Sequence, residues 1–565
     1  MAFVLVGLLV GISICANPAF GQNLQTDGQS NVVHGTVINS VTHQPIGRAL
    51  VHSPDNRYAT LTDGEGHFEF APPKAADESG SSSFEAQPRQ MWPAGALGWL
   101  MARKPGFLDD PRETRQVKVS PGADVTISLV PEALIKGRVM LPAAELAAGV
   151  DVELFFRQVQ DGSPRWMHKN SVRTNSNGEF RFAELQPGAY KVLTRERMDN
   201  DPITSVPGGQ LYGYPPVYYP SATDFASAST IQLAAGQTFQ ADLSLVRQPY
   251  YPVKIPVTNT EPGGGMNITV SLQGQRGPGY SLGYNRAKEI IDGQLPNGKY
   301  LVEASSFGPN SSASGSVNIV VAGAPAEGPT MVIARNNSIT VNVKEEFSST
   351  DWPASGSWSD GKHTFALHGP RLDLQITAYA MDDFGAQRSG SLRQPTGPND
   401  DALVLENLAP GRYWLRLRAS RGYVASATTG GTDLLREPLV VVPGASTPID
   451  ITMRDDNAEL EGTLLGIVPT PADPGRWSSP GYIYCIPLPD SSGQFLEISA
   501  SSDGKFDYRM VAPGVYRVIA FGSQQRDLPY RDPEAMKLYE TKGQIVHFAP
   551  GQKATLQLEI VSYAE

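Results

Sequence analysis

LQPGAYKV at 185–192, LPNGKYLV at 295–302, LAPGRYWL at 408–415 and VAPGVYRV at 511–518 state one pattern four times. The steps between them are 110, 113 and 103 residues. That is a domain-sized period, well beyond the roughly 20–50 residues of a solenoid repeat. Proline presets φ for the first central position of a turn, and glycine takes the φ > 0 position after it. The following Tyr-x-Val/Leu alternation has period 2, the mark of a half-buried strand. In LPNGKY, Asn297 separates Pro296 from Gly298, so that turn must differ.

Three further motifs frame the first. TDGEGHFEF at 62–70, TNSNGEFRF at 174–182 and SSDGKFDY at 501–508 read as a polar hairpin tip followed by an alternating aromatic strand. SPGADVTISL at 120–129, AAGQTFQADLSL at 234–245, VPGASTPIDITM at 442–453 and APGQKATLQLEI at 549–560 each read as a glycine turn and a closing strand. VVHGTVIN at 32–39, LIKGRVML at 134–141 and LEGTLLG at 460–466 read as opening strands. Short strands with turn signals at this spacing predict an all-β fold, a tandem array of about five immunoglobulin-like or prealbumin-like β-sandwich domains. The expected modules are 31–131, 132–247, 248–336, 337–456 and 457–565, each with its own core and limited contact with its neighbours. The third lacks a clear G-x-F strand, and its closing strand is degenerate. Segment 74–98 reads as a polar, Ser-rich loop insertion in the first. Helix is expected only at DPEAMKLYE, 532–540, with Pro533 at the first helical position, and at LPAAELAAG, 141–149.

Composition agrees with this architecture. At roughly 100–150 residues per domain, 565 residues suggest four or five domains. Glycine and proline number 56 and 46, turn-rich but far from collagen. With 40% hydrophobic residues there is material for packed cores. A net charge of −11 offers no basic footprint for nucleic acid. Two cysteines exclude a disulfide scaffold and a Cys-rich metal framework. Cys485, in YIYCIPL, reads as a buried strand thiol.

The apolar run FVLVGLLVGISIC at 3–15 has the length of a signal-peptide core and is short for a bilayer span. Ala19 and Gly21 suit cleavage before Gln22, and Ala16 marks an alternative cut. This gives a signal peptide, 1–21, and a linker, 22–30. No Lys or Arg precedes the run, so either the α-amino group serves alone or the true start lies upstream of Met1. Ile14 before Cys15 argues against lipoprotein acylation. No later stretch reaches 18 clean apolar residues, so the mature chain is expected without a transmembrane span: exported, and periplasmic, outer-surface or extracellular.

Residues 32–70, VVHGTVINSVTHQPIGRALVHSPDNRYATLTDGEGHFEF, resemble the carboxypeptidase regulatory-like domain family. Gly35, Val37, Pro45, Ala49, Val51, Thr62, Asp63, Gly66 and Phe68 carry the resemblance, and KPGF at 104–107 resembles the strand that follows. It is strong over about 100 residues, fair in the second module, and confined to turn motifs thereafter. It implies a transthyretin-like or starch-binding-like β-sandwich in an exported tandem-repeat protein. Carbohydrate binding enters by that analogy of fold alone.

No catalytic constellation is legible. None of the eight histidines begins an H-x-x-E or H-E-x-x-H motif, and His363 and His368 would face opposite sides of one strand. GYSLG at 279–283 has the G-x-S-x-G form, but no strand–helix context surrounds it. Asp63 and Glu65 supply too few carboxylates for calcium, and turn formation accounts for them. The remaining candidates are aromatic: Tyr212, Tyr214, Tyr218 and Tyr219 in LYGYPPVYYPS, Trp477 and Tyr482 in RWSSPGYIY, and Trp352 and Trp358 in DWPASGSW. Exposed tyrosines on a stiff loop suit stacking on sugar rings or anchoring a protein, whereas packing at a sandwich end would bury them. The sequence therefore predicts a non-enzymatic interaction or scaffold protein of the envelope, with no cofactor and no metal. Its partner is a polysaccharide or an envelope protein. Protein adhesion, or a hydrolase with an unrecognised site, are the alternatives.

Overall fold

The computed structural model describes residues 32–561 except 54–58, 71–98, 110–116, 119–123, 200–208, 260–264, 308–311, 349–354, 383–388, 445–446, 467–478 and 489–493. The expected signal peptide 1–21, the linker 22–30, the insertion 74–98, Trp352 and Trp477 fall outside the described residues. What is described is β-structure throughout, with single helical turns at Pro142–Ala144, Pro370–Asp373, Pro533–Met536 and Lys537–Tyr539. The chain forms two compact units: 1–133 with the short pieces 184–186 and 235–237, and the rest of 134–565.

In the first unit, Val33–Asn39 pairs antiparallel with His67–Phe70 and parallel with Asp124–Leu129. A second sheet runs Ala59–Leu61, Leu50–His52, Trp99–Arg103, Val117–Lys118. Val37 and Ile127 from one sheet meet Val51 and Leu100 from the other in a single buried cluster, which makes this a β-sandwich.

The second unit repeats that plan. Opening and closing strands pair in parallel each time: Ala133–Met140 with Thr238–Gln240, Gln248–Asn259 with Met331–Arg335, Asn337–Glu346 with Ile449–Arg454, and Ala458–Leu465 with Lys553–Glu559. Parallel neighbours need a crossover, and here the intervening strands of each sandwich supply it. Buried clusters centre on Val253–Ile333, Ile339–Met453 and Ala458–Leu558. The protein is thus an all-β chain of β-sandwiches in tandem.

The motifs lock onto one another. The opening-strand glycines Gly35 and Gly462 lie directly opposite Phe68 and Phe506 of the G-x-F strands. A Cβ on Gly35, Gly137 or Gly462 would sit 2.4, 2.8 or 2.5 Å from the ring of Phe68, Phe180 or Phe506. It would also meet a closing-strand carbonyl oxygen at 1.9–2.3 Å. The glycine is absent side chain, filled by a phenyl ring. The PG-x-Y turns are corners. Gly188, Gly411 and Gly514 have φ of 151°, 156° and 155°, while Gly298 does not enter the positive region, as the inserted Asn297 requires. The strands on either side of each turn are not hydrogen-bonded neighbours. Tyr300, Tyr413 and Tyr516 are buried and donate from Oη to the carbonyls of Pro296, Ala409 and Ala512, four residues upstream, at 2.7–2.9 Å. These are tyrosine corners, the device that pins such a turn between strands that are not neighbours.

Three expectations need correction. The T-D/N-x-x-G tips are not hairpins, because the strands they join lie in different sheets. Their side chains do form Asx turns: Asp63 Oδ1 accepts from the amides of Glu65 and His67, and Asn175 Oδ1 from those of Asn177 and Glu179. The line drawn at 247/248 cuts through a sheet, since Leu211–Tyr214 pairs antiparallel with Gln248–Asn259. Contact between sandwiches of the second unit is also extensive. Asp161 and Gly162 turn the hairpin between Asp151–Gln160 and Ser163–Arg173, at φ 47° and 75°. That tip reaches the last sandwich, where Asp161 accepts from Tyr530 Oη at 2.7 Å and pairs with Arg531 at 3.3 Å. Arg165, buried, donates to Ala380 O at 2.6 Å, and Arg276 pairs with Asp382 at 2.6 Å.

Candidate functional site

The tyrosine-rich segment is held by its backbone against the sandwich built on Gly188–Thr194. Tyr219 N donates to Val192 O at 2.9 Å, and Ser229 N to Tyr219 O at 2.9 Å. Tyr218 is 2% exposed. Its ring joins Phe155, Leu193, Phe225 and Ala228 in a buried cluster, and its hydroxyl donates to Pro278 O. Burial pushes its phenol above the ordinary range. Lys191, itself buried, places its ammonium 4.8 Å over Phe225 and 5.1 Å over Trp166, and donates to Phe225 O at 2.6 Å. Desolvation lowers its pKa. Tyr212 is covered by the Arg247 guanidinium at 3.9 Å, which in turn pairs with Asp199 at 2.7 Å. Tyr214 is half-buried, and Tyr219 packs edge-on against Phe239 at 5.8 Å. The four tyrosines therefore do not form an exposed stacking platform; Tyr218 is core. Tyr482 is likewise half-buried against Tyr484, Ile519 and Phe521. Trp358 stacks on Phe365 within its own hairpin, at 5.5 Å and 15°. Sequence distinguishes a tyrosine from a leucine, but not an outward tyrosine from one capping a core.

Ser281 of GYSLG lies between strands Gln275–Tyr280 and Gly283–Asn285, with no helix after it. Its hydroxyl and amide both donate to Glu196 Oε1 at 2.7 Å. Glu196 Oε2 is buried without a hydrogen-bond partner. Desolvation pushes this carboxyl up to about 7, against the pull of Ser281 and Arg195. Among the described residues, no three His, Cys, Asp or Glu side chains group as a metal site would require.

A cleft of about 550 Å³ lies between the sandwich built on Asn337–Glu346 and Ile449–Arg454 and the last one. One wall is the strand Gly411–Ala419, GRYWLRLRA. Its alternation buries Tyr413, Leu415 and Leu417 in the core and turns Trp414, Arg416 and Arg418 the other way. The opposite wall brings Phe495, Tyr508, Tyr530 and Arg531. Tyr530 and Phe495 are stacked at 3.9 Å and 6°, and the Arg531 guanidinium lies 4.7 Å over Trp414. Arg436 adds a fourth guanidinium, and Glu497 is the sole carboxylate among the described lining residues. The Asp161 carboxylate, 8% exposed, braces this wall from behind through Tyr530 and Arg531. No spacing in the sequence announces this cleft. The signal present was the Trp-x-Arg-x-Arg alternation on the outward positions of a strand whose inward positions had already been read.

No family model and no curated protein matches the chain. Solved structures similar to it include three pilus proteins. The minor pilin of Streptococcus agalactiae is 12% identical over 38% of this chain and 95% of its own, with a TM-score of 0.18. A streptococcal ancillary pilin is 12% identical over 53% of this chain and 98% of its own, with a TM-score of 0.17. A pilus adhesin of Lactobacillus rhamnosus GG, in an open conformation, is 10% identical over 54% of this chain and 43% of its own, with a TM-score of 0.17.

Proposed function

We propose that this chain is a non-enzymatic, exported β-sandwich protein that works by binding at the cell envelope or beyond it, with polysaccharide as its ligand. The observation that carries the reading is the cleft: about 550 Å³, within the roughly 300–1,000 Å³ of small-ligand sites, and walled by aromatic rings and guanidinium groups. Aromatic faces offer apolar area to the C–H faces of sugar rings, and guanidinium groups offer donors in a fixed fork to their oxygens. The resemblance of 32–70 to carboxypeptidase regulatory-like domains agrees with this reading at the level of fold. The five modules proposed are those of the repeat motifs, with the second and third sharing a strand-paired border.

A glycan array probed with purified 22–565 tests it. The expected result is a reproducible hit that is lost in Trp414→Ala and Tyr508→Ala, with unchanged circular dichroism. Tyr218→Ala is a poor probe, because it empties a core position. A protein partner is the second reading, favoured by one observation: the strand Leu439–Val441 ends its sheet and leaves Val440 exposed, with Val442 just beyond. A partner strand could add there. An array without hits and a cross-link from this edge would favour that reading.

A further inference from the structure

We propose that the cleft beside Gly411–Ala419 selects a polysaccharide that carries carboxylate groups. The inference rests on the polysaccharide reading above and adds the charge of the ligand. The whole chain carries −11, yet four guanidinium groups line the cleft against one lining carboxylate, Glu497; with Asp161, which pairs with Arg531 and Arg416, and Asp433, which pairs with Arg436, the cleft keeps a surplus of one positive charge. Local charge is thus opposite to global charge, which marks the cleft for an anion.

The arginines are not equally engaged. Arg531 is committed to Asp161 and to the Trp414 ring. Arg416 approaches Asp161 only at 3.8 Å. Arg418 is exposed, and its side chain makes no hydrogen bond or ion pair among the described residues; its charge acts on the nearby Tyr508 phenol. Arg416 and Arg418 lie two apart on one strand, so both forks point the same way, about 7 Å apart along it. Planar forks match carboxylates in a bidentate manner. Carboxylates recurring along a chain of sugar rings would meet them while the rings lie on Trp414 and Tyr508.

A peptide fits less well. Gly411–Ala419 is paired along one edge by Leu374–Ala380 and, over Gly411–Tyr413, along the other by Leu439–Val441, and it meets the cleft through Trp414, Arg416 and Arg418 on its face, so the groups it offers there are side chains. The walls are also fixed beforehand, since the Asp161–Gly162 tip ties them together, and a ligand need not order them.

The test is titration calorimetry of the full exported chain against polygalacturonate, neutral dextran and poly-glutamate. Polygalacturonate should bind, and added salt should weaken it. Arg418→Glu should lower that affinity by about tenfold, whereas Lys169→Glu, the same charge change at an exposed site elsewhere, should lower it by less than about twofold. Dextran binding as well as polygalacturonate, indifferent to Arg418→Glu, would overturn the selection for carboxylate and leave the polysaccharide reading standing. Poly-glutamate binding through Arg418 with no glycan bound would overturn both. Arg416→Gln serves as a second variant should Arg418→Glu shift the melting temperature.

Discussion

Tyr413, Tyr300 and Tyr516 each close a corner with one hydroxyl, and each lies in a different sandwich core. Tyr413→Phe keeps the ring and leaves the Ala409 carbonyl without that donor, which should cost about 0.5–1.5 kcal/mol in chemical denaturation. The opening-strand glycine is less forgiving. Gly35→Ala drives a methyl against Val125 O at 2.2 Å and the Phe68 ring, an overpacking cost of about 1–3 kcal/mol or more. Gly64→Ala, with nothing within 4 Å, should leave the melting temperature nearly unchanged. Glu196 adds a pH dependence. Its carboxyl is raised to about 7 by burial, and its charge is felt by Tyr218, Tyr250, Tyr280 and Tyr300. In the unfolded chain a glutamate titrates near about 4.3. Between that value and 7 the folded form keeps a proton the unfolded form has lost, so stability is full below about 4 and falls until pH passes 7. Melting temperature should therefore drop from pH 5 to pH 8, by the equivalent of at most about 3 kcal/mol, and Glu196→Gln should flatten the curve. The tyrosines of the corners were visible in the sequence as PG-x-Y. Glu196 was not, because its partner Ser281 lies 85 residues away and its burial is set by a different sandwich.

Among elements, the hairpin Asp151–Gln160/Ser163–Arg173 does more than complete a sheet. Its two-residue tip has both residues at positive φ, the conformation an Asp-Gly pair adopts most easily. Gly162 also leaves room for the neighbouring ring: a Cβ there would lie 2.7 Å from Tyr530. Asp161→Ala removes the acceptor of Tyr530 and the counter-charge of Arg531, and Gly162→Ala strains the turn and crowds the ring. Either should raise amide exchange in Tyr530–Asp532 and at the Trp414 wall, while strands of the first unit keep their protection. Asp161→Ala should cost about 1–3 kcal/mol. Equal protection in the variant and the parent would show that the tip is passive. The strand Gly411–Ala419 shows the division of labour along a single element. Its inward residues were legible by period, whereas its outward ones gained a role only when another sandwich came to face them.

At the scale of the whole molecule, 134–565 holds together as one compact unit through contacts between sandwiches: the Asp161 tip, Arg165 on Ala380, and Arg276 between Glu303 and Asp382. Unfolding of this unit should therefore not resolve into four independent transitions. Calorimetry of Asp161→Ala should separate a transition for the last sandwich that is merged in the parent. A parent thermogram already fitted by four separate transitions would argue against this coupling. The sequence by itself determined the β-sandwich class, the Pro-Gly turns, the opening and closing strands and the tandem period. All of these rest on local rules: period-2 burial, glycine at positive φ, and side chains that bond to amides two to four residues away. Only the tertiary structure decided which tyrosines are core, where one sandwich borrows a strand from the next, and which arginines line a cleft. Those outcomes depend on surfaces tens to hundreds of residues apart meeting, and local periodicity holds no information about what an outward face will meet.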